Sequence, residues 1–286
     1  MSQQRLNTVL KRGNPGRSFV AVEGSRWGEL ILPAPSEQCD RSESGLRVVV
    51  FAAFRIGIKL LDGVVCYERD RPDTIRPVAV STDDAVEDVA KIGLQKRLWR
   101  FYSPEERLAQ TADLIDLALK SSLPVFTGEL KSEWFRNQLK EWAPDLIIVA
   151  GCGQILDEDL LTIPKLGTFN FHPADLPSGH GAGPQPYQDL VDRNDPWTRW
   201  TVHKVTPKVD SGPVVGVSCP IFVADAEGRV SSEPDKVLQR MAEIIPEMVE
   251  ILFDSIAVAG NSTVAIDFEA CLSEEIKQKM RSPLSG

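Results

Sequence analysis

Histidine is scarce in this chain of 286 residues, and its cysteines are never clustered. The three histidines are His172, His180 and His203, and none of the five cysteines belongs to a Cys-x-x-Cys pair. Zinc sites draw on clustered Cys and His ligands, so the spacing predicts no metal, including no site built from the three histidines. An odd number of dispersed cysteines is typical of reduced thiols in a cytoplasmic protein rather than of a disulfide scaffold.

Long apolar runs and excess positive charge are also missing. No run approaches the roughly 20 residues that span a bilayer, and no apolar segment follows the basic residues between Met1 and Arg17, so we expect neither a membrane helix nor a signal peptide. Lys and Arg number 32 against 41 Asp and Glu, a formal net charge of −9. Because an acidic surface repels phosphate backbones, we expect a small-molecule substrate and no nucleic-acid or membrane partner, with a homodimer left open.

The chain divides into three predicted parts. Residues 1–45 predict an N-terminal appendage, with a possible hairpin and then a linker rich in Pro and Ser. Residues 46–225 predict the catalytic domain, and residues 226–286 a C-terminal helical segment and tail. Apolar runs of strand length alternate with helical spacers in the central part, which predicts an α/β fold with a doubly wound, Rossmann-like, mainly parallel sheet flanked by helices.

Periodicity and end signals place the individual elements. Strands are predicted at 46–54, 63–67, 123–126, 145–150 and 167–171, with extended segments at 198–205 and 213–223. Helices are predicted at 56–61, 83–96, 104–120, 132–142 and 233–256. Residues 68–77 read as a surface loop. The last helix is predicted to be capped by Ser231 or Ser232 and kinked at Pro246.

The strand at 167–171 carries the residues best suited to chemistry. Residues two apart on a strand share a face, so Asn170 and His172 are expected to point together into the crevice where open α/β sheets bind ligands. Pro173 ends the strand, and the following Gly- and Pro-rich segment to Tyr187 predicts a long shaped loop that lines a site.

Four motifs occur in order along this region. They are Val149-Ala150-Gly151-Cys152-Gly153-Gln154-Ile155-Leu156, Asn170-Phe171-His172-Pro173 with Leu176-Pro177, Thr201-Val202-His203, and Val209-Asp210-Ser211-Gly212-Pro213-Val214-Val215. Together they resemble the folate-dependent formyltransferase family, over roughly residues 46–225. That family includes the glycinamide ribonucleotide and sugar-nucleotide formyltransferases, the catalytic domain of methionyl-tRNA formyltransferase, and formyltetrahydrofolate deformylase.

The resemblance implies a catalytic trio of Asn170, His172 and Asp210, with 10-formyltetrahydrofolate as co-substrate. It also implies a folate-binding set: Cys152, Gly153, Gln154, Ile155, Leu156, Val205 and Val209. The residue types suit formyl transfer. An Asn amide can donate to the oxyanion of a tetrahedral intermediate, a His can donate or shuttle a proton, and a carboxylate can accept the proton of the amine.

Departures from the family's pattern bear on the acceptor. Residues 51–57 lack the Gly-Asn-Gly-Ser-Asn loop with which the glycinamide ribonucleotide enzyme binds phosphate, Ala174-Asp175 replaces a common Ser-Leu, and Trp200 replaces a common glycine. We therefore expect a sugar nucleotide or similar small amine as acceptor. Two alternatives stay open: a hydrolase that releases formate from the same folate, and a non-catalytic folate-binding homologue. His203 suits either a site or a structural role, and His180 reads as a loop residue.

Overall fold

A computed structural model describes residues 19–25, 28–33, 43–82, 102–183, 186–231, 233–260, 262 and 265–284. The strands are β1 Phe19–Ser25, β2 Gly28–Pro33, β3 Leu46–Ala52, β4 Ile75–Thr82, β5 Val125–Gly128, β6 Leu146–Ala150, β7 Gly167–His172, β8 Trp197–Thr198, β9 Thr201–Lys204, β10 Val214–Val217 and β11 Ile221–Phe222. The helices are α1 Phe54–Asp70, α2 Pro104–Lys120, α3 Glu133–Trp142, α4 Glu158–Leu161, α5 Pro186–Asp192, α6 Pro234–Ala242, α7 Ile245–Val258, α8 Phe268–Cys271 and α9 Glu274–Arg281.

One large sheet organises the molecule, in the order β1-β2-β5-β4-β3-β6-β7-β9-β10. Its centre, from β5 to β7, is parallel, and the strands added at both edges are antiparallel. Helices cover both faces, so the predicted doubly wound, mainly parallel sheet is confirmed. The chain runs outward from β3 to β5 on one side and from β6 to β7 on the other. The strand order therefore reverses between β3 and β6, where sheets of this kind bind ligands.

The central strands are continuous apolar runs because both of their faces are covered. Residues of β3, β4 and β6 that point to one face join a core with α1, α2, α6 and α7, and those that point to the other pack against α3 and α4. The predicted helix at 104–120 is confirmed at both ends. Ser103 caps it in a reciprocal pair with Glu106, and Pro104 occupies the first turn. Ser132 caps α3 by accepting the Phe135 N–H, without a reciprocal partner.

Two elements differ from the prediction. The segment 63–67, predicted as a strand, belongs to the single helix α1, whose buried residues Leu60, Val64 and Tyr67 follow helical spacing. Gly63 lets α1 approach α7 closely, since a Cβ there would lie 3.0 Å from Pro246 Cα. The predicted loop at 68–77 gives way to β4 from Ile75. Pro77 lies inside that strand next to an irregularity in its pairing with β3, where β4 has one extra residue between Pro77 and Ala79. Proline has no N–H to offer the ladder, which suits this position.

The C-terminal helical segment is also divided differently. The predicted helix at 233–256 is two helices, α6 and α7, and Pro246 occupies the first turn of α7 rather than kinking a continuous helix. Glu233, not a serine, stands at the N-terminal cap of α6, while the Ser231 hydroxyl accepts the Glu233 N–H.

The predicted helix at 83–96 lies outside the described residues. The strands β1 and β2 form the hairpin expected near the N-terminus, and β2 pairs with β5, so the hairpin extends the main sheet. The division into domains stays a prediction.

The described chain has two further general features. Its cysteines are free thiols: Cys66, Cys152, Cys219 and Cys271. Within the ranges given above, no helix combines the length and the apolar character needed to cross a bilayer.

Candidate active site

A cavity of about 360 Å³ opens at the carboxyl ends of β6 and β7, beside the point where the strand order reverses. Its lining comes from the start of α1, the loop after β6, the end of β7, the loop that leads to α5, and the segment between β9 and β10. The lining residues central to its chemistry are Asn170, His172, His203 and Asp210. A second cavity of about 650 Å³ lies beside Pro144 and Lys165, at the amino ends of the strands. Open α/β sheets rarely bind substrate at that edge, so we assign the site to the smaller cavity.

Strand β7 places Asn170 and His172 in the cavity by simple alternation. Phe169 and Phe171 point to the opposite face, where they are fully buried in the hydrophobic core. His172 is 5% exposed and Asn170 is partly buried. The same strand thus anchors the site in the core with one set of side chains and presents polar groups with the other.

Asp210 reaches the site from the segment between β9 and β10. Its backbone φ is +47°, a left-handed conformation that Asp tolerates better than most residues. Its Oδ2 accepts the N–H of Gly183 at 2.7 Å, and its Oδ1 lies 3.6 Å from Nδ1 of His172. The structure therefore brings together the carboxamide, imidazole and carboxylate of the predicted trio, although the carboxylate comes from a different part of the sequence.

His203 is the fourth member of this group. It pairs directly with Asn170 across the antiparallel β7–β9 ladder, and its Nε2 lies 3.2 Å from Asn170 Nδ2 and 3.6 Å from Asp210 Oδ1. The ring is 2% exposed. From the sequence, His203 suits either a site or a structural role. The missing signal was the antiparallel pairing of β9 with β7, which places His203 on the same face as Asn170.

Hydrogen bonds to backbone carbonyls fix the tautomers of both histidines. Nε2 of His172 lies 2.7 Å from the carbonyl oxygen of Gly181, and Nδ1 of His203 lies 3.2 Å from that of Lys204. A carbonyl oxygen only accepts, so each of these ring nitrogens carries the hydrogen and donates it. In the neutral rings, the lone pairs are then on Nδ1 of His172 and Nε2 of His203, the two nitrogens that face Asp210.

Burial and neighbouring charges set the protonation of the site. Burial lowers the pKa of His172, against the opposing influence of Asp210 and Gly181, which favours the neutral ring. Burial acts to raise the pKa of Asp210. His203 and His172, which attract the carboxylate when they carry a proton, and the Gly183 N–H outweigh this effect, so the pKa falls below its ordinary value. The resting site thus holds an ionised carboxylate beside a neutral imidazole, ready to take up a proton.

The loop after β6 forms the other wall of the cavity. Gln154 is buried beneath it and ties it to β5, since its side chain accepts the Leu130 N–H at 3.0 Å and donates to the Gly128 carbonyl at 2.8 Å. Gly151 has a φ of +79°, and a Cβ there would lie 2.4 Å from the Ala53 carbonyl oxygen. Ile155 and Val209, 49% and 48% exposed, present apolar side chains at the mouth.

All the residues of the predicted folate-binding set line this one cavity: Cys152, Gly153, Gln154, Ile155, Leu156, Val205 and Val209. Their role stays a prediction. The buried side chain of Gln154 is committed to the loop, which leaves only its main chain for a ligand. His180 is exposed and has no part in the polar group at the centre of the cavity. Among the described residues, His172, His203 and Asp210 offer ligand atoms that lie within 4.8 Å of one another.

Comparison with known proteins places the chain in a family. Residues 102–249, just over half of its length, match the family model described as Formyl transferase. The chain belongs to the formyl transferase family. The match spans α2 to α7 and includes each member of the trio together with His203, so the family signal and the cavity coincide.

Curated relatives that match this chain include methionyl-tRNA formyltransferases. That of Mycobacterium sp. (strain KMS) is 34% identical over 142 residues, which cover 49% of this chain and 44% of the relative. That of Methylococcus capsulatus is 34% identical over 135 residues, or 46% and 42% of the two chains. The chain thus matches less than half the length of these relatives.

Solved structures share the fold at lower identity. Glycinamide ribonucleotide transformylase 1 from Symbiobacterium toebii superposes with a TM-score of 0.54 at 18% identity, covering 78% of this chain and 94% of its own. Formyltetrahydrofolate deformylase from Burkholderia mallei gives a TM-score of 0.51 at 16% identity, covering 78% and 71%. These likenesses establish the architecture of the sheet and its helices, and no more.

Proposed function

We propose that this formyl transferase moves the formyl group of 10-formyltetrahydrofolate to the amine of a small-molecule acceptor. The observation that carries the proposal is the convergence of Asn170, His172 and Asp210 in one cavity at the switch point of the sheet. Each group has a function in acyl transfer to an amine, and none needs to act as a covalent nucleophile, because the acceptor's nitrogen attacks the formyl carbon.

The residues of the donor side suit a flat heterocycle. Ile155, Leu156, Val205 and Val209 supply apolar surface on two sides of the cavity, and the loop 151–156 offers main-chain groups between them. Backbone donors and acceptors framed by apolar walls match the polar edge of a pterin ring. 10-Formyltetrahydrofolate would supply the carbonyl carbon that the reaction transfers.

Asn170 and His172 are proposed to stabilise the oxyanion. One N–H of the Asn170 amide is directed at His203, which leaves the second free for the substrate oxygen. The Nε2–H of His172 is held by the Gly181 carbonyl, so the oxyanion must compete with that carbonyl for the same hydrogen. A small displacement of the loop at Gly181 would release this donor at the stage when negative charge develops.

Asp210 is proposed to take the proton that the attacking amine loses. Its lowered pKa keeps it ionised near neutral pH, and its Oδ1 lies 3.6 Å from both His172 and His203, which can carry that proton further. When the bond between the formyl carbon and the folate nitrogen breaks, the nitrogen regains a proton. The products are a formamide and tetrahydrofolate, and the proton count balances.

Charge supports a small acceptor. The chain carries a net charge of −9, and among the described residues that line the cavity Asp210 is charged while Lys and Arg are absent.

A second acceptor, methionyl-tRNA, is favoured by the identity to the Mycobacterium and Methylococcus enzymes. A tRNA acceptor would give a rate that falls steeply with salt, because each phosphate contact releases counterions.

The test is an acceptor screen with the purified chain and 10-formyltetrahydrofolate. Tetrahydrofolate release is followed by absorbance, and products are identified by mass, with amino sugars, nucleotide-linked amino sugars, amino acids and methionyl-tRNA offered separately. A formylated small amine supports the proposal. Formylated methionyl-tRNA alone would replace the small acceptor, and formate released at the same rate without any amine would show a hydrolase instead.

A further inference from the structure

The side chains of His172, His203 and Asp210 are suited to binding a metal ion as well as to moving protons. Each offers one donor atom, and these atoms lie within 4.8 Å of one another. The two contacts to Asp210 Oδ1 measure 3.6 Å each. Around a tetrahedral zinc ion with bonds of about 2.0–2.1 Å, neighbouring ligand atoms are about 3.4 Å apart. The two contacts to Asp210 therefore need to shorten by a few tenths of an ångström, and the two histidine nitrogens, which lie within 4.8 Å of each other, by up to about 1.4 Å.

The groups behind these ligands have the arrangement that metal sites use. Histidines that bind a metal through one nitrogen nearly always donate the other N–H to a carbonyl or a carboxylate, which fixes the tautomer. Here His172 donates to Gly181 and His203 to Lys204, both through the nitrogen that faces away from Asp210. Two lone pairs and a carboxylate thus converge, an arrangement that calls for a positive charge between them.

Asn170 competes for part of this space. Its Nδ2–H is directed at Nε2 of His203, so an ion bound there would have to displace that hydrogen bond. Asn170 is partly buried at the cavity, so its amide can turn toward the cavity and bond to water there. The open side of the triangle faces the same cavity, which leaves a fourth position for water.

We propose that His172, His203 and Asp210 bind one Zn²⁺ ion, which inhibits the enzyme. Two imidazoles and a carboxylate are a common donor set for zinc. The bound ion occupies the lone pairs and the carboxylate oxygen that formyl transfer needs free, so metal and turnover exclude each other. The inhibitory part rests on the function proposed above, whereas the metal site itself does not.

Cobalt binding tests the site without reference to activity. The metal-free full-length chain is titrated with Co²⁺, the visible spectrum of the bound ion is recorded, and Zn²⁺ is added to displace it. We expect one equivalent per chain, and an affinity weaker by more than about tenfold in His203→Gln and in Asp210→Asn. His180→Gln and Cys152→Ser are the controls, since each removes another candidate ligand from the neighbourhood, and both should bind like the wild type.

Three results would overturn the site: no bound cobalt, binding that survives both ligand substitutions, or binding lost in a control variant. Activity then tests inhibition. Zn²⁺ should abolish formyl transfer, and a chelator should restore it. Activity that requires the metal would overturn the inhibitory role. A chain that binds cobalt as expected but transfers no formyl group to any acceptor would refute the proposed function and leave the metal site standing.

Discussion

The two walls of the cavity are held in place by different means. The loop 151–156 is tied to the scaffold by Gln154, whose buried amide bonds β5 and the residue Leu130. The loop that follows β7 is tied to the site itself, because His172 donates to the carbonyl of Gly181 and Asp210 accepts the N–H of Gly183. One wall keeps its shape whatever the charge of the site, and the other depends on that charge.

The difference separates two tasks. A preformed wall suits a ligand bound before the reaction, because little ordering entropy is lost on binding. A wall held by the groups proposed for catalysis must rearrange when those groups turn to the substrate, so we expect the acceptor side to move during turnover. Substitutions on the two sides should therefore act on different quantities: folate affinity and stability on one, and turnover on the other.

The largest expected effect is the loss of turnover in Asp210→Asn. Asn keeps an oxygen that can accept the Gly183 N–H but cannot take a proton, so the loop should stay in place while formyl transfer falls by about 10²–10⁴-fold. Steady-state rates and circular dichroism measure the two quantities. The matched control is Asp175→Asn, a carboxylate on the loop that follows β7, which pairs with Arg199. Near-normal turnover in Asp210→Asn would remove the carboxylate from the mechanism.

Gln154→Leu should loosen the loop 151–156, the wall of the cavity that is proposed to bind the folate donor. It leaves the Leu130 N–H and the Gly128 carbonyl without their partners, at a cost of about 1–3 kcal/mol of unfolding free energy for each buried group. Folate affinity should fall as the loop loosens. Urea titration and folate binding are the measurements. Gln188→Leu removes an exposed hydrogen bond to Asp192. It should leave the unfolding free energy and the folate affinity unchanged within error. Equal effects at the two positions would contradict the proposed role of Gln154.

Gly181→Ala should disturb the loop that follows β7, the wall of the cavity on the acceptor side. A Cβ at this position would lie 2.4 Å from Ala174 Cβ, so the loop must shift and the hydrogen bond from His172 is lost. The matched control is Gly179→Ala. Both glycines have positive φ, but a Cβ at Gly179 meets nothing within 4 Å. The two variants should share a backbone cost of about 1 kcal/mol, and turnover should fall further in Gly181→Ala. Equal turnover would show that the loop position does not matter.

The smallest effect concerns pH. Burial lowers the pKa of His172 from an ordinary value of 6.5, so the unfolded chain binds the proton more readily than the folded one. The stability that this neutral ring contributes is present above pH 6.5 and is lost as the pH falls from there toward the folded pKa. His172→Asn should flatten this part of the stability profile, which urea titrations at several pH values would show. His180→Asn, at an exposed ring, should leave the profile unchanged.

Local patterns in the sequence determined much of the scaffold. Apolar runs predicted β3, β6 and β7, periodicity and end signals predicted α2 and α3, and alternation placed Asn170 with His172. These features are set by residues near one another in the chain, whose propensities and spacing are visible in a single sequence. The residues implied by the family resemblance also line one cavity.

The tertiary structure decided what depends on pairing between distant segments. The apolar run at 63–67 suits either a strand or a helix, and contact with α7 settles it as part of α1. His203 joins the site only because β9 pairs antiparallel with β7, and Gly181 and Gly183 matter only because their backbone meets His172 and Asp210. Such contacts join residues far apart in the chain. Their geometry is fixed when the sheet assembles, and periodicity within one segment carries no record of it.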